Sequence, residues 1–231
     1  MFRKLSGLSR YYRVLLTVGL VTTAAGCTIG PRWEPLFDGK TLNGWYICGQ
    51  PGTWQVEDGI LVGRLKKGDF HTFLTTERKF SNFELKLKMR YDSQEGNSGI
   101  FFRSDFPKPA DENQPIDPIK KLKGRKLVWP QIEFAPPGSH TGGFYIAGGG
   151  GWVNKDKFTD QMQKLHKFHQ WNDLRIKVAG DHVLSYLNGV VVTDEAGNPL
   201  PKEGSIALQL HSGPSMTVSF KDIYIRVIQN K

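Results

Sequence analysis

The feature that most constrains this chain is strict alternation over "NFELKLKMRY". Phe83, Leu85, Leu87, Met89 and Tyr91 fall on one side, and Glu84, Lys86, Lys88 and Arg90 on the other. Side chains of a strand point alternately to its two faces, so this segment reads as a strand with one face in a core and one in water. The same period recurs in "TWQVEDGILVGR", broken at Asp58-Gly59, and in "DLRIKVAGDHVLSYLNGVVVTD", broken at Asn188-Gly189. Both dipeptides favour two-residue hairpin turns. "GSIALQLHSG" and "MTVSFKDIYIRVI" add two more strands near the end. Helical spacing shows only weakly, in "FTDQMQKLHKFHQW", which has room for one or two turns. Many strands, 26 glycines and no strand–helix alternation predict an all-β sandwich or barrel.

Residues 1–26 stand outside that pattern. A basic start (Arg3, Lys4, Arg10, Arg13), the apolar run "VLLTVGLV" and the small residues "TTAAG" predict an export signal. "AAGC" resembles the lipobox of bacterial lipoproteins, which makes Cys27 the expected lipidation site and places the chain in the cell envelope, anchored to the membrane through its N-terminus. Residues 27–33 then form a short linker, and 34–231 a single domain. Four of the 31 Lys and Arg lie in the leader against 22 Asp and Glu overall, so the remainder is mildly basic, too little to predict a nucleic-acid partner. With Cys27 lipidated, Cys48 has no disulfide partner and reads as a buried or inert thiol. The segment from Asp105 to Trp129, with four prolines and the cluster "KKLKGRK", reads as a long surface loop.

Three strands carry unusual polar faces. In "GNSGIFFRS", Asn97, Gly99, Phe101 and Arg103 share one face, opposite Ile100 and Phe102. In "WPQIEFAPP", Gln131 and Glu133 stand opposite Ile132 and Phe134. In "IALQLHSG", Gln209 and His211 stand opposite Leu208 and Leu210. "GGFYIAGGGGW" adds Tyr145 and, farther on, Trp152. Amide, carboxylate, guanidinium and imidazole groups beside flat rings suit a sugar, whose hydroxyls need directional partners and whose C–H faces pack on aromatics. The competing reading is an Arg103–Glu133 salt bridge between neighbouring strands. His71, His140 and His182 are isolated. His166 and His169, three apart, lack a carboxylate or cysteine to complete a metal site.

The segments "PLFDGKTLNGW", "WQVEDGILVG", "FELKLKMRYDSQEGNSGIFFR", "WPQIEF", "TGGFY", "WNDLRIKVAGDHVLSYLNGVVV" and "GSIALQLHSG" with "VSFKDIYIRVI" together resemble the 3-keto-disaccharide hydrolase domain family, from Pro35 to Ile228. The family's E-x-Q reads here Glu133-Phe134-Ala135, and its closing F-R-N-I reads Phe220-Lys221-Asp222-Ile223. The resemblance implies a concanavalin A-like (jelly-roll) β-sandwich of two antiparallel sheets, with a concave sheet that binds carbohydrate. It also implies cleavage of 3-keto-glycosides. A ketone at C3 acidifies the C2 hydrogen, so one base suffices where ordinary glycosidases need two carboxylates. On this reading His211 or Glu133 is the base, and Arg103 with Gln209 or Asn97 stabilises the enolate oxygen. Tyr145 positions the sugar, with Phe101 and Gln131 also in the site. A divalent metal on His211 and Glu133 is the alternative electrophile. A non-catalytic carbohydrate-binding lipoprotein is the alternative function.

Overall fold

Asp58 and Gly59 have φ of 48° and 78°, and Asn188 and Gly189 have 50° and 84°. Positive φ at both central positions gives the backbone twist that two-residue hairpins need. Each pair closes the hairpin its sequence predicts. A computed structural model describes residues 32–123 and 128–229. The leader at 1–26, Cys27 and most of the linker lie outside the described residues.

The strands are β1 (Glu34–Pro35), β2 (Trp45–Cys48), β3 (Trp54–Glu57), β4 (Ile60–Leu65) and β5 (Thr72–Thr76). β6 (Phe83–Tyr91), β7 (Ser98–Ser104), β8 (Trp129–Phe134), β9 (Phe144–Ala147) and β10 (Gly151–Trp152) follow. The last five are β11 (Asn172–Ala179), β12 (His182–Leu187), β13 (Val190–Glu195), β14 (Ser205–Leu210) and β15 (Met216–Val227). Two single-turn helices, α1 (Pro118–Lys121) and α2 (Asp160–Gln163), interrupt them. One sheet runs β13-β12-β11-β6-β15-β4-β3, with β1 added alongside β15; the other runs β10-β9-β8-β7-β14-β5-β2. All pairs are antiparallel, and the result is the expected concanavalin A-like sandwich.

The main core lies between the sheets. Phe83, Leu85, Met89 and Phe220 from the eight-stranded sheet meet Ile100, Phe102, Phe134 and Leu208 from the other, all essentially without solvent contact. A second apolar cluster sits on the outer face of the seven-stranded sheet, where Cys48, Phe73, Phe101 and Trp129 are covered by Phe106 and Leu122. The segment after Asp105, expected as a surface loop, therefore packs on the sheet with these two side chains. The Asp117 carboxylate caps α1 by accepting from the Ile119 and Lys120 amides, which fixes that turn of the loop. Both sheets and both clusters are built from residues 34–227, so the chain from Arg32 onward contains everything the sandwich needs to fold. Burial pushes the free Cys48 thiol up to about 12, in keeping with an inert thiol.

Arg103 departs from the sequence expectation. Phe101 pairs with Ala207 but Ser104 pairs with Ser205, so β7 spends three steps where β14 spends two. The extra residue is a bulge, and Arg103 takes φ of 47°. Its guanidinium consequently leaves the polar face and binds loops at the end of the sandwich. It donates to the carbonyls of Ser81 (2.6 Å), Gly180 (2.6 Å) and Pro201 (3.2 Å) and to Asn82 Oδ1 (2.9 Å). It makes neither a salt bridge to Glu133 nor a contact with the polar cleft. A side chain at Gly204 would sit 2.3 Å from the Arg103 carbonyl carbon, so the bulge also requires that glycine. Replacing Arg103 by Met strands buried acceptors and is expected to cost about 3 kcal/mol. Urea unfolding measures it, and an unchanged midpoint would show that the guanidinium does not hold these loops.

Candidate functional site

Register places the polar residues of four neighbouring strands on one patch. Gln131 of β8 lies opposite Phe101 of β7 on one side and Tyr145 of β9 on the other. Glu133 lies opposite Gly99, Phe101 opposite Ala207, and Gln209 of β14 opposite Phe73 of β5. Residues directly opposite share a face, so these groups converge on the outer side of the seven-stranded sheet. They line a cleft of about 440 Å³, within the range of small-ligand sites. Asn97, Phe101, Gln131, Glu133, Tyr145, Gln209 and His211 all border it, with Trp152. Of the predicted catalytic and binding residues, only Arg103 is absent.

His71, Phe73, Ile119 and Trp129 also line the cleft, and the sequence reading did not select them. The "HTFLTT" segment does carry a signal, since period 2 puts His71 and Phe73 together, opposite Leu74. Nothing local says which face is outermost. Ile119 comes from α1, so the covering loop supplies one wall. Phe101 is only 2% exposed, beneath Phe106 at 5.6 Å and against Phe73 at 5.4 Å. It forms the floor, while half-buried Tyr145 and Trp152, in ring contact at 5.3 Å, form the accessible aromatic wall.

Glu133 is 3% exposed and is the one carboxylate among the described residues lining the cleft. It accepts from Asn97 Nδ2 at one oxygen and from Gln131 Nε2 (3.1 Å) at the other. Burial pushes its carboxyl up to about 7, and the Asn97 hydrogen bond works against that rise. Gly99 makes room for the arrangement, because a Cβ there would stand 2.5 Å from Gln131 Oε1. The side-chain oxygens of Gln131 and Gln209 are buried with no donor among the described residues. Both residues line the cleft, so a shift of either amide would bring an unpaired acceptor to a ligand hydroxyl.

The two histidines use their Nδ1 atoms in opposite ways, both against Ser212. His71 Nδ1 accepts from the Ser212 amide (3.0 Å), so a neutral ring carries its proton on Nε2. Burial and then the neighbouring His211 lower its pKa to about 4, which keeps it neutral near pH 7. His211 Nδ1 lies 2.7 Å from the Ser212 carbonyl, so that nitrogen donates, and in the neutral ring Nε2 carries the lone pair. The rings meet edge to face at 4.2 Å. Asn97 joins the pair to the carboxylate, its carbonyl accepting from the His211 amide (3.1 Å) while its side chain holds Glu133.

Among the described residues no three His, Cys, Asp or Glu side chains form a group that could hold a metal. His211 and Glu133 thus lack a third protein ligand of that kind among the described residues. His166 and His169 do not share a helical face, because α2 ends at Gln163. His166 is buried against Phe134 and Tyr91, which lowers its pKa to about 4 by desolvation.

A two-sheet sandwich with one sheet face hollowed into a carboxylate-bearing, aromatic-walled cleft is an architecture of carbohydrate-active proteins. The chain belongs to the 3-keto-alpha-glucoside-1,2-lyase-like domain family, which matches residues 32–226. A 3-keto-disaccharide hydrolase of Bacteroides thetaiotaomicron is 37% identical over 95 residues, covering 36% of this chain and 32% of that protein. The chain thus aligns with about a third of that relative's length. Two solved structures from Parabacteroides distasonis, both described as glycosyl hydrolases, share the fold. One has a TM-score of 0.60 at 19% identity, covering 85% of this chain and 94% of its own. The other has 0.57 at 26% identity, covering 85% and 100%.

The state of Glu133 predicts a pH signature in stability. Below pH 4.5, its ordinary value, the carboxyl is protonated in folded and unfolded chains alike. Between there and about 7 only the unfolded chain releases the proton, so stability falls as pH rises, by about 3 kcal/mol in all from this group. Buried His71 and His166, with lowered pKa values, act in the opposite sense, but they do so in wild type and Glu133→Gln alike and cancel in a comparison. Glu133→Gln, which mimics the protonated acid, is therefore expected to gain stability relative to the wild type as pH rises from 4.5 to about 7 in urea unfolding. An unchanged slope would place the proton uptake elsewhere.

Proposed function

We propose that this protein cleaves the glycosidic bond of 3-keto-glycosides, such as 3-keto-disaccharides, by proton abstraction and elimination. The observation that carries the reading is the solitary carboxylate, buried and near-neutral in pKa, in a cleft with unpaired acceptors and aromatic walls. A conventional glycosidase places two carboxylates across the scissile bond. A 3-keto sugar needs only one base. The base takes the C2 proton, and the electron pair delocalises onto the C3 oxygen as an enolate. Re-forming the carbonyl makes the C1–C2 double bond and expels the glycosidic oxygen, which leaves with a proton. Water added across that double bond gives the hydrolysis product; without it the unsaturated sugar departs as a lyase product.

Glu133 is the base in this scheme, since a pKa near 7 combines a large ionised fraction with high basicity. The developing enolate oxygen is met by the amide groups of Gln209 or Asn97. His71 Nε2–H supplies a neutral donor in the place the sequence reading gave to Arg103. Tyr145 and Trp152 hold the ring face, and Gln131 orients both carboxylate and sugar. His211 is the second reading of the base, favoured by the Nδ1 hydrogen bond that in the neutral ring leaves the lone pair on Nε2.

The test is a panel of 3-keto-glucosides beside the matching unoxidised glycosides, with and without EDTA, scored by release of the leaving group. Cleavage confined to keto compounds is expected, and loss of the true base should lower kcat by 10²–10⁴-fold. Glu133→Gln and His211→Ala, compared under single turnover, identify which residue that is. Saturable sugar binding without cleavage, surviving both substitutions, would make the protein a binding module. The leader and lipobox support export and lipid attachment to the cell envelope. Mass spectrometry of the mature N-terminus is expected to find acylated Cys27, and an unmodified N-terminus would exclude the anchor.

A further inference from the structure

The outer face of the eight-stranded sheet, on the opposite side of the sandwich from the cleft, carries an organised set of charges that catalysis does not use. β6, β11 and β15 lie side by side there, with Lys86 opposite Arg175 and Tyr224, and Lys88 opposite Asp173 and Lys221. Like charges on facing strands repel, so such a face is held together by whatever neutralises it. Internal acids do so only in part. Glu84, 1% exposed, is shared between Arg175 and Arg226, Asp173 engages Lys88 at 2.6 Å, Asp92 engages Arg90 at 2.5 Å, and Asp222 borders the same groove. Lys86 and Lys221 have no carboxylate partner among the described residues. Their ammonium groups lie instead over indoles, Lys86 at 4.5 Å from Trp33 and Lys221 at 4.4 Å from Trp171. Arg226 and Arg90 approach the same two rings, at 5.0 and 4.8 Å. The face thus presents two half-buried tryptophans, each bracketed by two cations, around a shallow groove of about 590 Å³.

We propose that this basic, tryptophan-bearing face docks on the surface of an anionic phospholipid bilayer. Charge complementarity is the argument. Each lysine or arginine near an anionic leaflet contributes attraction, and indole rings settle at the headgroup level beside them. A flat sheet face with cations spread from Trp33 to Trp171 matches an extended anionic plane better than a single small anion. The chain also enters the fold on this sheet, since β1 pairs with β15 and Trp33 lies across Lys86 and Arg226. Docking this way leaves the cleft on the other sheet open to solvent. The proposal rests on the face alone and holds whatever reaction the cleft performs.

Co-sedimentation of residues 32–231 with vesicles tests it, because that span contains the whole sandwich and omits the leader and Cys27. Binding to phosphatidylcholine vesicles containing phosphatidylglycerol is expected, weakening with added salt, with no binding to phosphatidylcholine alone. The double substitution Lys86→Glu and Lys221→Glu should weaken it by about tenfold or more. Lys79→Glu with Lys108→Glu makes the same change of net charge beside a different groove, near Tyr46 and Asp105, and should leave it within about twofold. Absence of binding to the anionic vesicles, equal binding to neutral ones, or an equal loss in both double variants would overturn the proposal. Retention on a sulfated polysaccharide without vesicle binding would overturn it too, and would assign the face to an acidic glycan.

Discussion

The contacts of Phe134 with Phe220 and of Phe102 with Phe83, at ring separations of 5.8 and 6.3 Å, close one sheet on the other, and the rest of the molecule depends on that closure. Two apolar sheet faces removed from water supply the main stabilisation of a sandwich. Alternation then leaves every second residue pointing outward. On the seven-stranded sheet those outward positions are Phe101, Gln131, Glu133 and Gln209, and they form the cleft. On the eight-stranded sheet they are Lys86, Lys88, Arg175 and Arg226, and they form the basic face. The two surfaces are thus consequences of one packing decision, held on opposite sides by the same core.

A carboxylate with almost no solvent contact destabilises a folded protein unless something compensates it. Here compensation is partial. Asn97 and Gln131 donate to Glu133, yet its carboxyl still sits near 7. Gly99 gives up side-chain packing so that Gln131 can lean across, and two glutamine oxygens remain without donors. A buried carboxylate of near-neutral pKa with unpaired amide oxygens beside it, at a cleft, marks a candidate site for a polar ligand. Cys48 and His166 are buried too, but neither borders the cleft.

Much of the fold was legible in the primary structure, because period-2 patterning and the Asp-Gly and Asn-Gly turns are local properties of the chain. The polar strand faces were legible for the same reason, and register brought Asn97, Gln131, Glu133, Tyr145, Gln209 and His211 together as alternation predicts. Arg103 is where local alternation no longer predicts the face. Counting by twos from Phe101 puts it on the cleft face, but one inserted residue opposite Ser205 reverses the count. The bulge is set by pairing with a strand about a hundred residues away, and by Gly204 in particular, so no local pattern contains it. His71 shows the converse, an isolated histidine until β5 pairs with β14 and Ser212 orients its ring.

The sequence by itself determined which residues are strands, which turn, and which side chains share a face, because those follow from backbone geometry over a few residues. Only the tertiary structure decided which outward face would be hollowed into a cleft and that the loop after Asp105 would wall it. It alone sent Arg103 to brace loops and paired His71 with His211. Those outcomes depend on register and closure between segments far apart in the chain, where the free energy of pairing, and not the local pattern, sets the result.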